Sequence, residues 1–161
     1  MGVNRGADPA EIEQLYRSRL ADFRRVAAAI VGDVERSADA VQEAFGKALC
    51  KRKSFRGDGS LEAWLWRLVI NQARDELRAA RRGPVPDLLS ANGSTTHEDA
   101  LLAAAIAALP ERQRLAVFLR YYADLDYASI AEALGVKGGT VAASLSAAHE
   151  NLRKTFEEAL P

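Results

Sequence analysis

Residues 61–82, LEAWLWRLVINQARDELRAARR, run without a single proline or glycine, and their apolar members recur at the wrong spacing for a strand. Leu61, Leu65, Leu68 and Val69 fall on one side of a helix of about six turns, for which the preceding Ser60 is the expected N-cap. With successive residues about 100° apart, Arg67, Asn71, Arg74 and Arg78 gather in a second stripe at steps of four, three and four, bordered by Trp64. Three guanidiniums, an amide and an indole on one helix suit a nucleic-acid backbone, with Asn71 and Trp64 available to bases. The same pattern is also met by an ordinary solvated face above a core holding both tryptophans.

The remaining chain reads as helices of the same kind. Ala and Leu dominate, and no alternating run of β-branched residues occurs. Pro9 and Glu11 open a helix through Leu15, Tyr16, Leu20, Phe23, Val26, Ala27 and Ile30 that stops near Gly32. Asp33 caps a second helix to about Lys51, with Ala38, Val41, Ala44, Phe45, Ala48 and Leu49 on its apolar side and Asp39, Gln42, Glu43 and Lys47 on its polar side. A basic run, Lys51, Arg52 and Lys53, leads to Phe55-Arg56-Gly57-Asp58-Gly59-Ser60, a loop whose two glycines let backbone approach a ligand closely. Gly83-Pro84-Val85-Pro86 ends the long helix, and residues 84–98 have the composition of a flexible linker, spanning roughly 20–24 Å as coil.

Thr95 with Glu98 three residues on predicts a capping box for a helix over 99–109. Pro110, as a first-turn proline, restarts the chain as a helix over 112–122. Asp126 caps a short helix over 127–134, Gly135 ends it in the left-handed conformation, and Thr140 begins the last helix after a turn. Val141, Leu145, Ala148, Leu152 and Phe156 form the buried stripe of that last helix. Short helix, glycine turn and longer helix make a helix-turn-helix. The expected fold is therefore all-α, with small helical domains at 1–83 and 99–161 joined by the linker 84–98.

Composition narrows the function classes. The 161 residues are 27% charged and 48% hydrophobic, with no apolar run near the roughly 20 residues of a membrane span and no signal-peptide core at the N-terminus, so a cytoplasmic protein is expected. The lone Cys50 gives no disulfide framework and reads as a small buried residue, while His97 and His149 lack ligand companions. No phosphate-binding GxxxxGK[ST], no HExxH and no nucleophile-base pair is present, so no catalytic residue, metal or cofactor is assigned. Formal charge cancels overall yet is split: residues 1–83 hold 16 Lys/Arg against 12 Asp/Glu, and residues 84–161 hold 6 against 10. The first half is the better candidate for DNA.

Two segments then resemble one family. SFRGDGSLEAWLWRLVINQARDELR, preceded by DAVQEAF, is similar to domain 2 of the extracytoplasmic-function (group IV) sigma factors of bacterial RNA polymerase. LPERQR, DYASIAEALGV and the GTV start of the last helix resemble domain 4 of the same proteins. The resemblance implies a factor that binds core RNA polymerase and directs promoter recognition, melting and initiation. It implies that Phe55, Arg56, Asp58 and Ser60 line a pocket for a flipped base of the minus-ten strand. Trp64, Arg67, Asn71, Arg74 and Arg78 would follow the DNA, and Asp39, Gln42 and Glu43 would meet the polymerase. A flipped base must be unstacked at a few kcal/mol and then held by stacking and edge contacts. Lys137, Thr140, Ala142, Ala143 and Ser146 would read the minus-thirty-five element, and an anti-sigma factor is an implied partner.

The last helix departs from the family. Where lysine and arginine are usual after GTV, this chain has Ala142, Ala143, Ser144, Ser146 and Ala147, then His149 and Glu150, and Lys137 replaces the usual capping serine. Small side chains can meet thymine methyls but neutralise no phosphate, so binding through this domain is expected to be weaker or less salt-dependent. Basic help would have to come from Lys137, Arg153, Lys154, Arg112, Arg114 or Arg120. Two alternatives stay open: a sigma-like adaptor working mainly by protein-protein contact, and a helix-turn-helix regulator whose N-terminal domain is a sensor or dimerisation module.

Overall fold

Side-chain caps decide where the helices begin. The computed structural model describes residues 6–80 and 96–159. Asp8 accepts a hydrogen bond from the Ala10 amide at 2.9 Å and, with Pro9, starts α1 (Pro9–Val31). Asp33 accepts from the Arg36 amide at 2.9 Å to start α2 (Val34–Cys50). A single 3₁₀ turn, Arg52–Ser54, follows, and Ser60 Oγ accepts from the Ala63 amide at 3.0 Å to start α3 (Leu61–Ala80). Thr96 and Asp99 cap each other's backbone amides at the head of α4 (His97–Ala107). The expected pair, Thr95 with Glu98, is thus displaced by one residue, and Thr95 lies outside the described residues. Most of the segment expected as a linker also lies outside them; its last two residues, His97 and Glu98, open α4.

Pro110 occupies the N-cap of α5 (Glu111–Tyr121), and Asp126 accepts from the Ser129 amide at 2.7 Å to begin α6 (Tyr127–Leu134). That bond holds the Asp126 carboxyl below the usual carboxylate range. Gly135 closes α6 at φ 66°, where a residue with a Cβ would be strained. The last helix, α7 (Gly138–Ala159), starts two residues before the expected Thr140. The Lys137 carbonyl accepts from the Thr140 and Val141 amides, so two glycines of poor helix propensity are carried in the first turn. Among the described residues there is no strand.

In the N-terminal half, α1, α2 and α3 pack on one another around Phe23, with Phe45 at 5.0 Å and Trp66 at 4.2 Å between ring centroids. Trp66 is fully buried, and its indole N–H finds no partner among the described residues. Leu65, Trp66, Val69, Ile70 and Ala73 form the deepest face of α3, whereas Leu61 and Leu68 of the expected stripe are only half-buried. On α2, Leu49 is 47% exposed and Cys50 is also exposed, against the expectation that both turn inward. The buried stripe of α2 runs through Val41, Ala44, Phe45 and Ala48; Leu49 is one helical step past it and Cys50 two, about 200° round from Ala48.

The C-terminal half packs α5, α6 and α7 around Leu115, Leu119, Ile130, Val141 and Leu145. Ser144, expected on the outer face, is buried instead: it shares the 141, 145, 148 stripe and satisfies its hydroxyl by donating to the Thr140 carbonyl at 2.7 Å. The halves do not stay apart. α6 lies along α3, α5 touches α1, and one cluster of buried residues continues through both.

Candidate nucleic-acid interface

The loop before α3 is built on aromatic packing. Phe55 follows the 3₁₀ turn and rests half-buried against Trp64, ring centroids 5.5 Å apart. Arg56, Gly57, Asp58, Gly59 and Ser60 stand exposed beside it, with Gly57 at φ +77°. Backbone amides of the first turn of α3 face this loop, and such amides favour an anionic group. Ser60 is already committed, since its hydroxyl caps the helix.

Along α3, Arg67, Asn71 and Arg78 are exposed and Arg74 is half-buried, so the stripe expected from the sequence exists as a surface. Its members have different partners. Arg78 pairs with Asp75 on its own helix at 3.3 Å, both well exposed, a contact of at most about 1 kcal/mol. Arg74 Nε donates to Glu111 Oε1 at 2.8 Å, across the boundary between the two halves. A Cβ added at Gly135 would stand 3.7 Å from Arg67 Nη2, so the end of α6 lies over that guanidinium. A Cβ at Gly59 would overlap both carboxylate oxygens of Glu132 on α6, so Gly59 is where this carboxylate enters the loop. Nothing in the sequence pattern pointed to Glu111 or Glu132.

Other cross-boundary contacts lie away from the stripe. Arg19 of α1, held by Glu62 of its own half at 2.7 Å, donates across to the Ala123 carbonyl, and the Arg25 guanidinium sits 4.5 Å from the Tyr122 ring centroid. On α2, Asp39, Gln42 and Glu43 are all exposed and distant in register from the buried stripe. Lys47 donates to the buried Gln72 of α3 at 2.5 Å, a polar tie between the two helices.

The helix-turn-helix surface has another character. Lys137, Ala142, Ala143 and Ser146 are exposed and Thr140 is half-buried, and shallow hollows of about 500 and 670 Å³ flank Ala143 and Ala147. The cations nearby are mostly spoken for. Arg153 pairs with Glu150 at 2.8 Å and Glu157 at 2.5 Å, and Lys154 reaches Glu150 at 3.6 Å. Hydrogen bonding and charge from Arg153 hold the Glu150 carboxyl below the usual range, and Glu150 and Glu157 raise Arg153 in return. Arg114 donates to the Ala107 carbonyl and Arg120 to the Leu125 carbonyl, both half-buried structural roles. Of the six cations named from the sequence, Lys137 and Arg112 remain exposed with no carboxylate within ion-pair distance among the described residues. Tyr121 and His149 meet at 2.8 Å on the same face.

Two family models match the chain: Sigma-70 region 2 over residues 15–83 and Sigma-70 region 4 over residues 99–152. The RNA polymerase sigma-H factor of Pseudomonas aeruginosa is 30% identical over 150 residues, covering 81% of this chain and 78% of that one. The extracytoplasmic-function RNA polymerase sigma-E factor of Escherichia coli K12 is 34% identical over 139 residues, covering 74% and 71%. Among solved structures, the sigma factor RpoE in complex with the anti-sigma factor NepR from Bartonella quintana superposes with a TM-score of 0.76 over 91% of this chain and 97% of that one. At 21% identity that likeness speaks for the fold.

Proposed function

The chain belongs to the sigma-70 family, as an extracytoplasmic-function sigma factor of bacterial RNA polymerase, and from that premise we propose which of its residues do the work. It directs promoter-specific transcription initiation by core RNA polymerase and catalyses no reaction of its own. The observation that carries the residue assignment is the continuity of one surface: the Phe55–Trp64 pair, the exposed loop and the Arg67, Asn71, Arg74, Arg78 stripe all lie along α3.

In this reading residues 1–83 melt and hold the minus-ten strand, residues 84–98 connect, and residues 99–161 read the minus-thirty-five element. Arg56, Asp58 and the loop backbone meet the edges of a flipped base, Phe55 and Trp64 supply the apolar wall, and the arginines follow phosphates. Ser60 acts by fixing the helix start. Asp39, Gln42 and Glu43 form the polymerase contact. Lys137, Thr140, Ala142, Ala143 and Ser146 face the upstream major groove, where the alanines read shape and thymine methyls. Action in the cytoplasm, where the polymerase works, is part of this proposal. Among the described residues no helix is long and apolar enough to cross a membrane. An anti-sigma factor is proposed as regulator because a neighbour of the same whole-chain fold was solved with one bound.

Run-off transcription from a genomic promoter library, with core polymerase and with or without this protein, tests the assignment. Transcripts appearing only with the protein, and vanishing with Asn71→Ala/Arg74→Ala while core binding persists, are the expected result. Unchanged transcripts from that variant would remove α3 from promoter opening.

A further inference from the structure

The loop and arginines that would receive DNA are occupied from within the molecule. Three negative features of the C-terminal half meet α3 in order along its length. The Glu132 carboxylate enters the loop at Gly59, beside the capped start of α3. The C-terminal end of α6, the negative end of its helix dipole, lies over Arg67. The Glu111 carboxylate takes Arg74 at 2.8 Å. Arg67 and Arg74 are two helical turns apart, about 10.5 Å along one face, so these contacts follow the path a nucleic-acid strand would take.

We propose that Glu132 and Glu111 are internal stand-ins for DNA phosphates: in the free factor they hold the promoter-opening surface closed, and melted DNA and the C-terminal half compete for the same groups. The inference rests on the promoter-opening role proposed for α3.

Two details favour competition over a merely adhesive interface. Two further ties between the halves, Arg19 on the Ala123 carbonyl and Arg25 over Tyr122, lie on α1 away from the stripe, so part of the adhesion is independent of the DNA surface. Glu111 and Glu132 lie on α5 and α6, outside the face of α7 assigned to DNA, and are free to serve this second purpose. The electrostatic part of the closure is half exposed and so should weaken with salt. Displacement needs a partner that engages both halves at once; core polymerase with a promoter does so, exchanging internal carboxylates for phosphates with little net change in pairing.

The test uses the full chain without polymerase and a dye-labelled, mixed-sequence single-stranded 12-nucleotide DNA at moderate salt. Glu111→Gln/Glu132→Gln removes two charges without changing shape. Glu35→Gln/Glu158→Gln removes two exposed carboxylates elsewhere and controls for net charge. The expected result is that the first variant binds at least about fivefold more tightly than both wild type and control, with a larger radius of gyration by small-angle scattering. Adding Arg67→Ala/Arg74→Ala to it should erase the gain. Equal affinity for the first variant and the control, or an unchanged radius, would overturn the proposal. Failure of the sigma-factor role of α3 is read separately, as core-dependent transcription insensitive to Asn71→Ala/Arg74→Ala.

Discussion

The two surfaces assigned to DNA carry arginine differently. On α3, Arg74 is paired with Glu111 from the other half of the molecule, a partner that leaves if the halves separate. On α7, Arg153 is paired with Glu150 and Glu157, three residues before it and four after it on the same helix, and no rigid movement can part them. Interdomain pairing makes a cation conditional, whereas pairing within a helix spends it. A count of basic residues misses this, because both arginines contribute the same formal charge. On the proposed assignment, the α3 surface is therefore a strong site that can be covered, and the α7 surface a weak one that stays open.

Removing the strong site should have the largest effect. Asn71→Ala/Arg74→Ala is expected to lower open-complex formation by at least about 30-fold, since each lost base contact is worth roughly 1–3 kcal/mol. Permanganate reactivity of the melted strand measures it. Asn71→Ala alone separates DNA contact from domain closure, because Arg74 also holds Glu111. A full effect from Arg74→Ala with none from Asn71→Ala would mean that α3 matters for closure only. Reversing charge on the neighbouring helix, Asp39→Arg/Glu43→Arg, should weaken core binding roughly tenfold or more and leave single-stranded DNA binding intact, as competition against wild type would show. Loss of DNA binding in that variant would show that the two functions do not lie on separate faces.

The weak site gives smaller numbers. Arg112→Ala/Lys137→Ala takes away the two exposed cations near the recognition face and should flatten the log affinity against log salt slope for upstream duplex by about 2. Binding of the full holoenzyme to duplex carrying the upstream element alone is the measurement. A slope unchanged by this pair would mean that other cations, or none, face the phosphates.

How far the sequence speaks differs from element to element. Asp33, Ser60 and Asp126 cap their helices as their positions foretold, because a cap is a local bond between residues two or three apart. The stripe on α3 was visible for the same reason: it depends only on helical spacing. The pattern leaves open a core holding both tryptophans; the structure buries Trp66 against Phe23 and leaves Trp64 half-buried beside Phe55, a split set by tertiary packing. The habit of its residue type predicts a buried Cys50, but its angle from Ala48 on α2 carries it outward. Propensity predicts a turn at Gly138 and Gly139, and the packing of α7 overrides it. Glu111 and Glu132 were silent because their partners lie 37 and about 73 positions away, and no local rule pairs them.

The smallest effect probes the spent arginine directly. At neutral pH the Glu150 carboxylate is fully charged, and Arg153 lowers its pKa further. A carboxyl lowered in the folded state contributes stability above its unfolded pKa and loses it only as pH falls through the lower folded value. Mild acidification near neutrality therefore cannot release Arg153, but substitution can. Glu150→Ala/Glu157→Ala leaves Arg153 without either partner. If the α7 surface is weak because its cations are spent, upstream-duplex affinity should rise about two- to threefold and the salt slope should steepen by about 1 to 2, because Lys154 also loses its Glu150 partner and one or two more phosphates are neutralised. If affinity rises with no change in slope, the gain is removed repulsion from two acids near the backbone. If neither moves, Arg153 lies beyond the reach of the duplex, and the small-residue face alone sets how this half of the molecule meets its promoter.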